Sequence, residues 1–284
     1  MSKAQVWRAP GFEWLPGEFD ALLAEFGIEG EVANVFVTLR ETRFYVKLRR
    51  LRPSSSRWRP QRWRWLGFTP YRKREFDVLL ELRAAGVPAV QPAVAAASFR
   101  GGVLYQELLA TVVIEGVRDL RAILEEASVE RADALCAQAG ATVAGLHRTG
   151  FRHRDLFPRN ILVGGPEGAE SMTFLDCRKG GKSWRPGRNF AYDLACFDLW
   201  SGVLYPSSAR LNFFAAYVGA LGLEQGNAAA LLAKVARQRA SLLQHRTHRK
   251  RAVHKEHQQW APAVDMPPVR WEELTSLEAY TTAR

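Results

Sequence analysis

Between Val32 and Leu48 the chain twice runs through β-branched and aromatic residues alternating with polar ones, VANVFVTL and then ETRFYVKL, with Arg40 and Glu41 at the junction. This period-two pattern predicts two strands joined by a turn near Arg40 and Glu41, with Lys47 at the end of the second strand. The period then changes. Apolar positions across Arg74 to Ala85 recur at helical spacing, which predicts a helix with Glu75 in its first turn and a stop at Gly86 and Val87-Pro88. AVAAASF and GGVLYQELL return to strand-like runs, and a helix is expected from near Asp119, followed by a longer one from about Val129 to His147 that ends at Gly150.

Further along, ILV and MTFLD flank the turn-rich stretch GGPEGAE, which predicts a second hairpin terminating at Asp176. YDLACFDLW, LNFFAAYVGALG and NAAALLAKVARQRASLLQ are apolar-patterned and predict three more helices. Strands, one helix, more strands and then mainly helices make an α+β chain: a small β-rich N-lobe over residues 1–108 and a mainly helical C-lobe over 109–284, together one domain.

Composition refines this. With 284 residues, 47% of them hydrophobic, the chain can bury a large core. Cys136, Cys177 and Cys196 are too few and too scattered for a zinc site or a disulfide framework, and no charged-then-apolar leader opens the chain, so a reduced cytoplasmic setting is expected. The longest uncharged stretch, Ala84 to Phe99, contains Pro88 and Pro92 and is too short for a spanning helix. The formal charge of +11 predicts an anionic partner without naming it. Much of that charge lies from Arg49 to Arg74, where arginines interleave with Trp58, Trp63 and Trp65 and no acid intervenes, reading as an exposed connection. A second basic run spans His245 to His257. Trp7, Trp14, Trp200, Trp260 and Trp271 are expected to pack, and Cys177 and Cys196 to fill small buried spaces.

The candidate chemistry lies in FRHRDLFPRNILV, Phe151 to Val163. An Asx-turn would account for His153 and Asp155 alone. The fuller set asks for more: Asp155, Asn160 five positions on, and Asp176 at the end of the following hairpin have the order that phosphoryl transfer requires. One carboxylate orients the acceptor hydroxyl and takes its proton, while an amide oxygen and a second carboxylate are hard ligands for Mg2+ bridging the phosphates of ATP. His153 is expected to brace the loop. Lys47 on an early strand and Glu75 on the next helix supply the ion pair that holds a lysine against nucleotide phosphates.

FYVKLRR, REFDVLLELRAAGVPAVQP, GLHRTGFRHRDLFPRNILV, FLDCRKG and YDLACFDLW together resemble the lipopolysaccharide kinase family (Kdo/WaaP, InaA-like) of the protein-kinase-like superfamily. The resemblance implies a two-lobed protein-kinase-like fold and ATP-dependent phosphorylation of a heptose or Kdo hydroxyl of the lipopolysaccharide inner core, at the cytoplasmic face of the inner membrane. It implies Asp155 as catalytic Asp, Asn160 and Asp176 as metal ligands, Lys47 and Glu75 as the nucleotide ion pair, and Asp193 as the anchor of the catalytic loop. The chain departs from the protein-kinase pattern in four places. FGIEGE, Phe26 to Glu31, replaces a full Gly-rich loop; Phe157 stands where a lysine commonly follows the catalytic Asp, leaving Arg159 or Lys182 to offset transition-state charge; Asp176-Cys177-Arg178 replaces D-F-G; and no A-P-E occurs between Asp176 and Asp193.

Lacking a long peptide-docking segment, the chain favours a sugar or glycolipid acceptor over a protein. Other readings are a soluble kinase of the aminoglycoside or choline type, an atypical RIO- or Bud32-like protein kinase, and an RNA-binding pseudokinase, although nucleic acid is the least favoured partner. The Arg/Trp-rich segment 49–74 is expected to hold the protein at an anionic membrane surface.

Overall fold

The structure, a computed structural model, describes residues 2–30, 32–51, 69–182, 186–248 and 266–282. It forms two compact units, one comprising Met1–Gly116 with Asp176–Arg178 and the other Val117–Leu175 with Lys179–Arg284.

The first unit is built on a five-stranded sheet, β1 (Ser2–Arg8), β2 (Val32–Leu39), β3 (Thr42–Arg50), β4 (Pro92–Arg100) and β5 (Val103–Val112), in the order β1-β4-β5-β3-β2. Every pairing is antiparallel. β5 runs across position 108, and the unit continues to Gly116. In β3 the alternation works as the sequence pattern requires: Phe44, Val46 and Leu48 are buried on one face, so Lys47 stands on the other. Phe44 is gripped by Phe12, Trp14 and Phe26, ring centroids 5.9, 6.3 and 5.8 Å away. Unlike β3, β4 is buried at eight successive positions, from Pro92 to Phe99. Its alanine-rich sequence suits a strand covered on both sides, because small side chains let neighbouring layers come close.

Two elements of this unit were not foreseen: β1, and α1 (Phe19–Glu25), whose seven residues are too few to show a period. The helix expected from Arg74 is α2 (Tyr71–Ala84), so Glu75 lies in its second turn rather than its first. Pro70 occupies the N-cap, and the basic YRKR that reads as loop is helical. Of the Arg49–Arg74 connection, residues 52–68 lie outside the described residues, as do Trp260 and residues 249–265 of the C-terminal basic region.

The hairpin between β2 and β3 turns on two residues only, with Leu39 paired to Thr42. Arg40 and Glu41 both have positive φ, 47° and 66°, in a tight turn that normally selects Asn and Gly. The Arg40 guanidinium lies over the Trp14 ring at 4.5 Å.

The second unit opens with β6 (Arg118–Asp119) and α3 (Leu120–Leu124), which Asp119 caps by accepting the Ala122 N–H at 3.0 Å. Then come α4 (Val129–Arg148), β7 (Phe151–Arg152), β8 (Ile161–Gly164), β9 (Ser171–Phe174), β10 (Gly181–Lys182), α5 (Pro186–Asp198), α6 (Ser207–Leu221), α7 (Gln225–His248) and α8 (Trp271–Thr282). β8 and β9 are the expected second hairpin, and β10 pairs with β7. α4 packs on α6, where a Cβ at Gly140 would sit 2.1 Å from the Phe213 carbonyl oxygen; only glycine allows that approach.

A buried ion cluster joins the later elements. Asp198, at the end of α5, receives the Arg210 guanidinium through two hydrogen bonds of 2.6 and 2.9 Å and lies 3.3 Å from Arg239 on α7. The same arginines donate to the carbonyls of Pro267 and Met266 ahead of α8. Trp200 is almost fully buried, and Cys136, Cys177 and Cys196 are buried free thiols. Burial pushes the Cys136 thiol well up from its ordinary value, with Asp133 adding to the rise.

Candidate active site

The residues singled out by the sequence fall into one cluster in each unit. In the first unit the pleat carries Lys47 out of the core and α2 brings Glu75 to it, Nζ to Oε1 at 3.1 Å. The Glu75 side chain is 1% exposed, and its second oxygen accepts from Arg72 at 2.8 Å. A buried carboxylate is tolerable when both oxygens meet cations in this way. Asp176 Oδ1 lies 3.9 Å from the same Lys47 ammonium and 3.7 Å from Arg178 Nε. Asp176 has φ 54°, an uncommon conformation for a residue other than glycine and one that concentrates at functional sites. Glu107 is buried near this pair, accepts the Arg72 backbone N–H at 3.2 Å, and has its carboxyl pushed up by burial.

In the second unit the loop after β7 is held by Asp193, which is fully buried on α5. Its two oxygens accept the backbone N–H groups of His153 and Arg154, each at 2.6 Å. Arg154, at φ 62°, is thereby fixed in the left-handed region immediately before Asp155. His153 donates from Nε2 to the Leu175 carbonyl at 3.0 Å, a bond that ties the loop to the end of the β8–β9 hairpin and assigns the ring a bracing position. Asn160 donates from Nδ2 to the Asp155 main-chain carbonyl at 2.7 Å, and the Phe157 N–H reaches the same oxygen at 2.8 Å. Because the amide nitrogen is engaged there, the Asn160 side-chain oxygen is the end available to a cation.

The donor chemistry fits Mg2+. Asn160 offers a neutral oxygen and Asp176 a carboxylate one quarter exposed. Among the described residues no three His, Cys, Asp or Glu side chains gather as a metal nest. Each is the hard oxygen type that magnesium takes beside waters and phosphate oxygens.

Sequence reasoning named Arg159 and Lys182 as nearby cations. The structure lays the Arg159 guanidinium over the Phe157 ring at 4.5 Å and puts Lys182 on β10, exposed. At Asp155 stands Lys179, its Nζ 2.9 Å from Oδ1. The sequence also missed the support behind Asp193. His147 of α4 donates from Nε2 to Asp193 Oδ2 at 3.3 Å and accepts from the Tyr217 hydroxyl at 2.8 Å, and burial together with Asp193 pushes the Tyr217 hydroxyl upward. Phe190 stacks on the His147 ring at 4.1 Å. The apolar setting of His147 on the α4 pattern was its one local signal.

Comparison with known proteins adds three findings. Residues 31–199 match the profile of the "Lipopolysaccharide kinase (Kdo/WaaP) family". The 3-deoxy-D-manno-octulosonic acid kinase of Vibrio vulnificus (strain YJ016) is 35% identical over 112 residues, 39% of this chain and 46% of that protein. Its counterpart in Vibrio parahaemolyticus serotype O3:K6 is 34% identical over 106 residues, 37% of this chain and 43% of that protein. The matches thus span somewhat under half the length of these curated relatives. Among solved structures, WaaP in complex with acyl carrier protein is similar at 18% identity and a TM-score of 0.62, over 84% of this chain and 99% of that one. A glucosamine kinase is similar at 14% identity and a TM-score of 0.50, over 97% and 80%. These likenesses show that the fold is kinase-like.

Proposed function

Because the chain belongs to the lipopolysaccharide kinase (Kdo/WaaP) family, we propose that it transfers the γ-phosphoryl group of ATP to a sugar hydroxyl, heptose or Kdo, of the lipopolysaccharide inner core. The observation that carries the reading is the Lys47 ammonium, 3.1 Å from Glu75 and 3.9 Å from Asp176: a phosphate-binding cation and a metal-binding carboxylate side by side. Lys47 binds ATP through its phosphates. Asn160 and Asp176 would hold Mg2+, which would offset the charge on the phosphates. Asp155 accepts a hydrogen bond from the acceptor O–H and takes its proton as the oxygen attacks phosphorus. Asp193, through the His153 and Arg154 backbone N–H groups, fixes where Asp155 stands. The acceptor class rests on the family and on the similarity to the Vibrio enzymes, together with the basic charge of +11, which suits an anionic glycolipid.

The test incubates the protein with labelled ATP, Mg2+ and a panel of lipopolysaccharide cores, free sugars, aminoglycosides and a generic protein substrate. Label should enter the core glycolipid. Asp155→Asn should bind ATP normally and lose about a hundredfold to ten-thousandfold in rate. Label only on protein or aminoglycoside would overturn the acceptor assignment, and full turnover by Asp155→Asn would overturn that of the base.

A further inference from the structure

We propose that Lys179, rather than Arg159 or Lys182, supplies the transition-state cation beside Asp155, meeting the transferring phosphoryl group while holding the Asp155 carboxylate in line. This rests on the phosphotransferase reading above.

The loop lacks a cation at the position where a lysine commonly follows the catalytic Asp. Two positions after Asp155 stands Phe157, 2% exposed and apolar, so no charge can come from that side chain. Charge nevertheless develops on the oxygens of a phosphoryl group in flight, and a positioned cation is the usual means of stabilising it. Lys179 Nζ lies 2.9 Å from Asp155 Oδ1. An ammonium has three donors, of which this contact uses one, and the Lys179 side chain is 47% exposed while Asp155 is 13% exposed. The lysine therefore reaches a largely buried carboxylate while its own side chain stays half exposed.

The chain takes care to put it there. Lys182 pairs with Phe151 and Gly181 with Arg152, so β10 is stapled to the strand that leads into the loop. Between this staple and Lys179 is Gly180, where a Cβ would fall 2.7 Å from both the Arg152 carbonyl oxygen and the Phe151 ring. Any other residue would push the segment away from β7, and Lys179 with it. An ordinary surface ion pair needs no such support and contributes little.

The step itself balances without a bond to lysine. The acceptor oxygen forms a bond to the γ-phosphorus as the bond from that phosphorus to the bridging oxygen breaks. The electron pair leaves with ADP, and the hydroxyl proton passes to Asp155. Lys179 contributes charge and position only.

The experiment measures initial rates of transfer from labelled ATP to lipopolysaccharide core for the full chain, with Lys179→Ala, Lys179→Gln, Lys179→Arg and Asp155→Asn beside it, and melting temperatures for all. Lys179→Ala and Lys179→Gln should lose on the order of a hundredfold in kcat, with KM for ATP and acceptor within a few-fold and melting unchanged, while Lys179→Arg recovers much of the loss. A kcat for Lys179→Gln equal to that of the parent, or higher because the lysine had been masking Asp155, would overturn the proposal. So would a loss confined to KM. If the parent transfers to no acceptor in the panel, the phosphotransferase reading falls and takes this role with it; if the parent transfers and only Asp155→Asn is impaired, the role of Lys179 alone is refuted.

Discussion

Lys47 and Glu75 show how much of a site can be read from single residues. The period of β3 fixed the face on which Lys47 emerges, and a strand before a helix made Glu75 its natural partner. Arg72 could not be read in advance, because it belongs to a basic run that looks like loop, yet it takes the second oxygen of Glu75 at 2.8 Å. That contact separates the two substitutions. Lys47→Ala should cost about a hundredfold in kcat/KM for ATP, with a fall in melting smaller than that of Glu75→Ala because Arg72 still meets the carboxylate. Glu75→Ala should cost less activity but about 2 kcal/mol of stability, because Lys47 and Arg72 then face each other over a vacated buried site. Paired rate and denaturation measurements decide it, and the opposite ranking would dissolve the pairing of strand and helix. The partners of Asp193 were illegible for a plainer reason: His147 is 46 positions away in sequence, and nothing local marks the Tyr217 hydroxyl that orients it.

Among elements, β2, β3 and the β8–β9 hairpin announced themselves through alternation and turn chemistry, and α4 through its long helical period. β1 is different. Its seven residues carry two cations and pair along their whole length with β4, more than 80 positions on, so the partner that makes it a strand is absent from any local window. α2 extended past its apolar pattern because Pro70 can cap a helix whose first turn is polar. The β2–β3 turn was placed correctly, at residues with no visible aptitude for it. A side chain held at positive φ costs of order 1–2 kcal/mol, which glycine relieves at some cost in chain entropy. Glu41→Gly, which leaves Arg40 over Trp14, should therefore stabilise the protein by about 0.5–1 kcal/mol. A denaturation midpoint that stays put or falls would show that the turn stores no strain.

At the scale of the whole molecule, composition indicated an anionic partner, and the acceptor proposed above would be one. What it could not indicate is that three residues, Asp176–Arg178, leave the second unit's stretch of chain and group with the first. No helix among the described residues is long and apolar enough to cross a membrane. We propose that the Arg/Trp-rich segment 49–74 meets an anionic bilayer surface, each cation contributing about 1 kcal/mol near anionic lipid and the tryptophans favouring the headgroup region. Replacing Arg57, Arg59, Arg62 and Arg64 with Gln should abolish salt-sensitive sedimentation with anionic vesicles and lower turnover on glycolipid far more than turnover on free sugar. Equal sedimentation of parent and variant would end this assignment.

The burial of the three cysteines bears on how the enzyme ages. Sulfur is attacked by peroxide and by electrophiles chiefly as thiolate, a form that the apolar surroundings of Cys136 disfavour and that burial of Cys177 and Cys196 keeps out of reach. Damage at these atoms can then proceed only through openings of the surrounding structure. The pace of oxidation at these three sulfurs is then set by how often the fold opens around them as well as by the oxidant's concentration.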